Sequence, residues 1–214
     1  PVFPVFHKYY DRNPLGKVVV QNRENGTIQN VRVSFFVGEF MQSPKECIVI
    51  PSLKARRSAE VPVYALFRDD ILRVTEATSV ASEITAEYLF AGQVRQISQT
   101  QTLRVQDRNA MSWDDDRKAA SFVTPRDTTV QTFAKGVVGD VRDRGPTVID
   151  PNLRNAMALF AGMWLYGLNY VVDPKSSYAE LSENSSAVDY LQFPRQTLQY
   201  RAGDCDDLSI LYAA

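Results

Sequence analysis

Arg201-Ala202-Gly203-Asp204-Cys205-Asp206-Asp207-Leu208-Ser209-Ile210-Leu211-Tyr212 decides how the rest of the chain is read. A glycine and an aspartate precede an apolar, helix-compatible run. Asp204 is a favourable N-cap residue, which puts Cys205 in the first helical turn. Free backbone N–H groups give a helix N-terminus partial positive charge, and this favours the thiolate form of a cysteine placed there. Gly203 is expected to leave room for a substrate backbone. Asp206 and Asp207 suit the first turn as dipole partners, but their charge raises a nearby thiol pKa. The sequence alone leaves the net sign open.

Working upstream, Pro194-Arg195-Gln196-Thr197-Leu198 precedes this helix. Two further helices are marked before it. Thr124, Pro125 and Asp127 read as cap, first helical position and capping-box acid of the first, with Val130, Phe133, Ala134, Val137, Val138 and Val141 at helical spacing. Gly145-Pro146 is its expected end. Asp150-Pro151 opens the second, which is apolar or glycine on every side from Ala156 to Leu168 and is expected to be buried. Asp173-Pro174 ends it, and the serine-rich stretch Lys175–Ala187 reads as a surface loop.

Together these features resemble the transglutaminase-like superfamily of papain-like cysteine proteins. Its members carry a Gly-x-Cys at the start of a buried helix, after a Pro-x-x-Thr-Leu-type stretch. The likeness runs from about Thr124 to the chain end and is strongest over Val188–Ala214. It implies that Cys205 is the nucleophile of a Cys-His-Asp triad whose His and Asp lie downstream on strands. The residues after Cys205, Asp206 to Ala214, include no histidine. The expectation is therefore an incomplete domain, inactive alone, whose sheet follows later. Leu208–Ala214 is expected to be a core helix needing cover from a second molecule or to be poorly ordered, and its exposure would promote association.

The first half of the chain has a different rhythm. Pro1–Pro14 is aromatic and irregular, and is expected to cross a surface or enter the first strand. Lys17–Gln21, Val31–Val37, Glu46–Ile50, Glu60–Leu66, Ile71–Thr75, Val80–Phe90 and Gln93–Val105 read as strands. Asn25-Gly26, Pro44, Pro51 and Gly92 act as punctuation. About seven strands with no helical period between them suggest an immunoglobulin-like β-sandwich, although the Cys…Trp…Cys hallmark is missing. The pattern over 16–106 is self-contained and expected to fold by itself. Asp107–Asp116 changes character, so the fold class expected is α+β in two domains. A β-sandwich over 1–108 precedes the helical part of a truncated transglutaminase-like domain over 109–214. Trp113 is read as packing at the seam, and Asp114-Asp115-Asp116 as a solvated linker or helix start, since it lacks the ligand alternation of a calcium loop.

Composition bounds the function. The 214 residues carry a net charge of −1, which gives no long-range attraction to nucleic acid or anionic membrane. Hydrophobic residues make up 44% of the chain, enough for a packed core and too many for disorder. No run approaches the ~18 apolar residues of a membrane span. Cys47 and Cys205 make no disulfide framework, and Cys47 reads as a buried structural thiol in a strand. His7, the single histidine, could in principle serve Cys205 but reads as a surface or packing residue. There is no phosphate-cradling glycine loop, zinc-spaced Cys/His set or nucleophile-elbow serine, so no cofactor or metal is implied.

Two functions follow. The first is acyl transfer or amide hydrolysis on a protein or peptide substrate through a Cys205 thioester in the full-length protein. The alternative is non-catalytic, with the sandwich docking a protein or cell-envelope partner. The compartment stays open, with a bacterial extracytoplasmic setting preferred.

Overall fold

Strand alternation shapes the first half of the protein. In β2 (Ile28–Phe36), Val31, Val33 and Phe35 point to one face and are buried, while Arg32 is exposed. The structure, a computed structural model, describes residues 1–141, 149–172 and 187–214. The expected Gly145-Pro146 helix end, and all but the last residue of the Lys175–Ala187 loop, lie outside the described residues. The second helix ends at Leu165, well before the expected Asp173-Pro174, and Gly167 just beyond it takes a positive φ of 91°. The architecture is mixed α and β with mainly antiparallel sheets. The chain divides into two compact units, Pro1–Arg108 and Asn109–Ala214.

In the first unit, β1 (Gly16–Gln21) pairs antiparallel with β4 (Ser58–Val63). A second, antiparallel sheet runs β3-β2-β5-β6, with β3 at Lys45–Leu53, β5 at Thr78–Phe90 and β6 at Gln93–Val105. Val18, Val20, Ala59 and Val61 of the small sheet pack with Val31, Val33, Leu53, Ile84 and Ala86 of the larger one. Each fully buried valine there contributes about 1.5–3 kcal/mol.

The β5–β6 turn is Ala91-Gly92, with φ of 50° and 77°, and Phe90 opposes Gln93. Positive φ at both central residues defines the tight hairpin turn that matches strand twist, and glycine suits the second position. Asn25-Gly26 lies before β2, but Asn22 organises that corner: its buried Nδ2 donates to the carbonyls of Gly26 (2.9 Å) and Leu53 (2.8 Å).

Three features of this unit differ from expectation. β3 runs on through Pro51 to Leu53. Ile71–Thr75 is not a strand. Asp69–Arg73 forms a 3-10 helix, because Ile71 N–H bonds Arg68 O and Val74 N–H bonds Ile71 O, with Ile71 alone buried. The aromatic leader is also part of the core. Phe3, Phe6 and Tyr10 are buried, and Val2 bridges Val105 at the end of β6.

The second unit begins with β7 (Ala110–Ser112), a 3-10 helix at Asp116–Phe122, and α1 (Thr128–Val141). Asp115 caps the 3-10 helix through Arg117 N–H, so the acidic triplet is a helix start. α1 starts later than the Thr124-Pro125 signal implies. Asp127 Oδ1 accepts from Thr129 N–H at 2.8 Å and its other oxygen binds Arg195 at 2.6 Å. A carboxylate that caps and pairs at once outcompetes the Thr124 hydroxyl.

α2 (Pro151–Leu165) starts as expected, with Asp150 accepting from Asn152 and Leu153 N–H. Then come β8 (Asn169–Tyr170), β9 (Val188–Tyr190), α3 (Pro194–Tyr200), β10 (Ala202–Gly203) and α4 (Cys205–Ala213). β7 pairs antiparallel with β9, and β8 pairs parallel with β10. Among the described residues no helix is long and apolar enough to cross a membrane.

α2 is not buried all round. Gly162 and Met163 are buried, whereas Leu153, Met157, Phe160, Trp164 and Leu165 are exposed. Its inner face is set by one contact: a Cβ on Gly162 would lie 2.8 Å from Val137 Cγ2 of α1. The C-terminal helix finds cover inside its own unit, with Ile210 and Leu211 buried and Tyr212 donating to Ala156 O at 3.1 Å.

Gly162→Ala is therefore expected to destabilise the protein by about 1–3 kcal/mol through overpacking against Val137. In a Val137→Ala background the clash is gone, and the same change should instead stabilise by up to about 1 kcal/mol through helix propensity. Urea denaturation of the four proteins checks the sign reversal.

Candidate functional site

Cys205 is set in place by the elements around it. Arg201 ends α3 in the left-handed conformation, φ 55°, with its N–H on Thr197 O. The chain then runs as Ala202-Gly203 beside Asn169-Tyr170 before α4 begins. Asp204 caps α4, its Oδ1 accepting from Asp206 N–H (3.0 Å) and Asp207 N–H (3.1 Å). Cys205 is consequently the first helical residue, and it is exposed. A solvent-facing thiol at a helix start differs from the inert thiol of a packed core.

The approach to this turn is held by a buried polar network. Asn109 Nδ2 donates to Leu191 O (2.6 Å) and Gln196 Oε1 (2.7 Å), and Leu191 N–H bonds back to Asn109 O. Gln196 Oε1 also accepts from Phe193 N–H, closing the start of α3. Thr197 and Leu198, the Thr-Leu pair within α3, are both buried.

Gly203 has a different role from the one its sequence position suggests. A Cβ there would lie 2.7 Å from Asp207 Cβ and 3.1 Å from its Oδ2. The missing side chain makes room for Asp207, which is buried and whose Oδ1 accepts from Gln192 N–H at 2.7 Å. Burial, followed by the charges of Asp204 and Asp206, pushes the Asp207 carboxyl up to about 6 despite the Gln192 bond.

Within the fold the electrostatics of the thiol have a definite sign. Burial and then the charges of Asp206 and Asp204 push the Cys205 thiol up, against a smaller downward pull from the N–H groups of Cys205 and Asp206. The helix terminus does not win, so the neutral thiol is the resting form. Asp206 is itself pushed up by burial and by Asp204 and Asp189.

Two residues beside the thiol have no sequence signal. Tyr170 lies close enough to Cys205 that the charge of that sulfur is the largest cause pushing its hydroxyl pKa up. Tyr170 arrives through a two-residue parallel pairing that no periodicity announces. Asp189 is buried in β9, accepting from Trp113 Nε1 (2.6 Å) and Tyr190 N–H (2.8 Å). Trp113 thus serves as an indole donor within the second unit.

His7 stands elsewhere. In the first unit it is buried, with Nδ1 on Pro4 O (3.0 Å) and Nε2 on Asp69 (3.0 Å), so both ring nitrogens are engaged. Cys47 is half-buried in β3, its sulfur accepting from Tyr64 N–H at 3.3 Å, and burial pushes its thiol up. Asp204, Cys205 and Asp206 place ligand atoms within 4.8 Å of one another. Asp204 is committed to capping, and adjacent acids at a helix start occur without a metal, so this trio does not define a cation site. Compared with known proteins, the chain matches no family model and no curated protein.

Two outcomes are expected. A folded-state pKa near 6 lies above the unfolded value near 3.9, so the folded state holds the Asp207 proton more tightly. Stability then rises as pH falls from about 6 to about 4, by up to roughly 3 kcal/mol, and is constant in this group above 6. Wild type minus Asp207→Asn, compared by denaturant melts from pH 4 to 8, should show that change. A difference flat with pH would contradict it. For Cys205, alkylation by iodoacetamide should be slow at pH 7 and rise steeply above the ordinary thiol range. Asp206→Asn, by removing one raising charge, should speed it several-fold at pH 7.5.

Proposed function

We propose that Cys205 is the nucleophile of acyl-transfer chemistry in the whole protein. What supports this is an exposed thiol at the first position of a capped helix, with the Tyr170 hydroxyl close to it. The sulfur attacks the carbonyl carbon of a peptide or glutamine side-chain amide. The C–N bond breaks as the leaving amine takes up a proton, and water or an amine then resolves the thioester. Tyr170 O–H can donate to the thiolate as it forms.

The raised thiol pKa makes a general base necessary, because a proton must leave Cys205 before attack. His7, with both nitrogens engaged in the first unit, does not supply that base. On the resemblance to transglutaminase-like proteins, the base of this reading is a His oriented by an Asp, and no histidine is among the residues Asp206–Ala214. On this reading the chain is an immunoglobulin-like sandwich followed by the helical part of a transglutaminase-like domain. The face-to-face packing of β1-β4 on β3-β2-β5-β6 supports the first half of that description.

The test is incubation of the whole protein with a glutamine peptide and a fluorescent primary amine. Ammonia release or amine incorporation, with a thioester mass adduct on Cys205, is expected, and Cys205→Ala should lower turnover at least about a hundredfold. Turnover retained by Cys205→Ala would remove Cys205 from the chemistry. The 214-residue chain by itself is expected to show no turnover.

A further inference from the structure

We propose that the first unit binds an extended strand of another polypeptide along the free edge of β1, with alternate apolar residues and an acidic residue at the end that meets Arg23. This is independent of the chemistry assigned to Cys205.

β1 pairs with β4 along one edge, and among the described residues no strand pairs with its other edge. In an antiparallel ladder every second residue turns its N–H and C=O away from the partner, so that edge offers a row of donors and acceptors. A groove of about 690 Å³ lies along it. Its near wall is the unbroken run Lys17–Glu24. Side chains of a strand alternate between faces, so a cavity above one face touches every second residue. A cavity touching consecutive residues follows the edge, where the backbone is presented. The shape and the hydrogen-bonding groups both call for a strand.

The opposite wall specifies its side chains. Ala86 and Ile97 are cross-strand partners on one face of β5–β6, as are Ile84 and Gln99. Ala86 is buried, but Ile97 is 64% exposed. The β1-β4 sheet therefore covers β5 and stops short of β6. A strand added beside β1 would take the next position in that layer, about 4.8 Å further on, and lie over Ile97. Its residues facing this wall would be apolar.

Charge sets the end. Lys17 of the groove is matched by Glu60 (2.6 Å), and the groove's Glu24 is taken by Arg95 (2.6 Å). Arg23 is exposed, and its Nε donates to Gln21 Oε1 rather than to a carboxylate. The adjoining turn places Arg56 and Arg57 beside it, through Arg56 N–H on Asn22 O and Asn22 N–H on Arg57 O. Among the described residues, none of these three arginines is in an ion pair shorter than 4.0 Å. A second copy of the chain does not meet this demand. The two-fold antiparallel β1–β1 registers centred on Val18 or Val19 place Arg23 opposite Asn13 or Leu15, neither of which is charged.

The experiment uses two fluorescein-labelled peptides of about eight residues, alternating valine and threonine, one ending in two aspartates and its twin in two lysines. Fluorescence anisotropy with the whole chain should show at least about tenfold tighter binding of the aspartate peptide. Arg23→Glu should shrink that preference several-fold. Ile97→Lys, at a position the fold leaves exposed, should weaken both peptides at least about tenfold while the thermal transition stays unchanged. The proposal is overturned if neither peptide binds at millimolar concentration, if Ile97→Lys leaves binding unaltered, or if the protein sediments as a dimer that Ile97→Lys dissolves.

Discussion

The second unit depends on one close approach. With no Cβ on Gly203, the side chain of Asp207 sits against its backbone, and a methyl group there would fall 2.7 Å from Asp207 Cβ. That contact sets α4 against β10 and delivers the Asp207 carboxylate to Gln192 N–H. The same turn holds the Asp204 cap and the thiol, so the placement of Cys205 depends on a glycine two residues upstream. The unit places a buried carboxylate in this joint, which is costly in free energy unless hydrogen-bonded.

The carboxylates make the site electrostatically conflicted. Asp204 and Asp206 stabilise the helix start, where N–H groups welcome negative charge. The same charges, with burial, hold Cys205 in its neutral form. Helix stability and thiolate formation therefore draw on the same partial positive charge, and the aspartates claim it. Tyr170, in contrast, stands close to the sulfur and adds no negative charge while its hydroxyl keeps its proton.

Much of the local structure was legible because local chemistry sets it. Alternation over Val31–Val37 and Val80–Phe90 marks β2 and β5, and the Asp150-Pro151 and Asp204 caps mark where α2 and α4 begin. Failures occur where distant partners decide or where local turn bonds compete with a strand. Asp127 displaces Thr124 as the α1 cap because Arg195 binds it from far along the chain. Ile71–Thr75 carries β-prone residues, but turn hydrogen bonds claim its backbone. The apolar surface of α2 says that the helix wants cover and not how much the described residues provide. Tyr170 and Asp189 reach the thiol's neighbourhood through strands of two and three residues, too short for any period to show.

The two-residue turn at Ala91-Gly92 also bears on how the first unit assembles. β5 and β6 meet after closing almost no loop, and their register is fixed from the turn outward over thirteen pairs. β1 and β4 must instead bring Gln21 to Ser58 across β2 and β3. Loop-closure entropy favours the local pairing first. The long hairpin can thus serve as the template on which β2 docks, with the β1-β4 layer arriving last. The strand with the open edge then belongs to the part of the unit that assembles latest and is the easiest to detach.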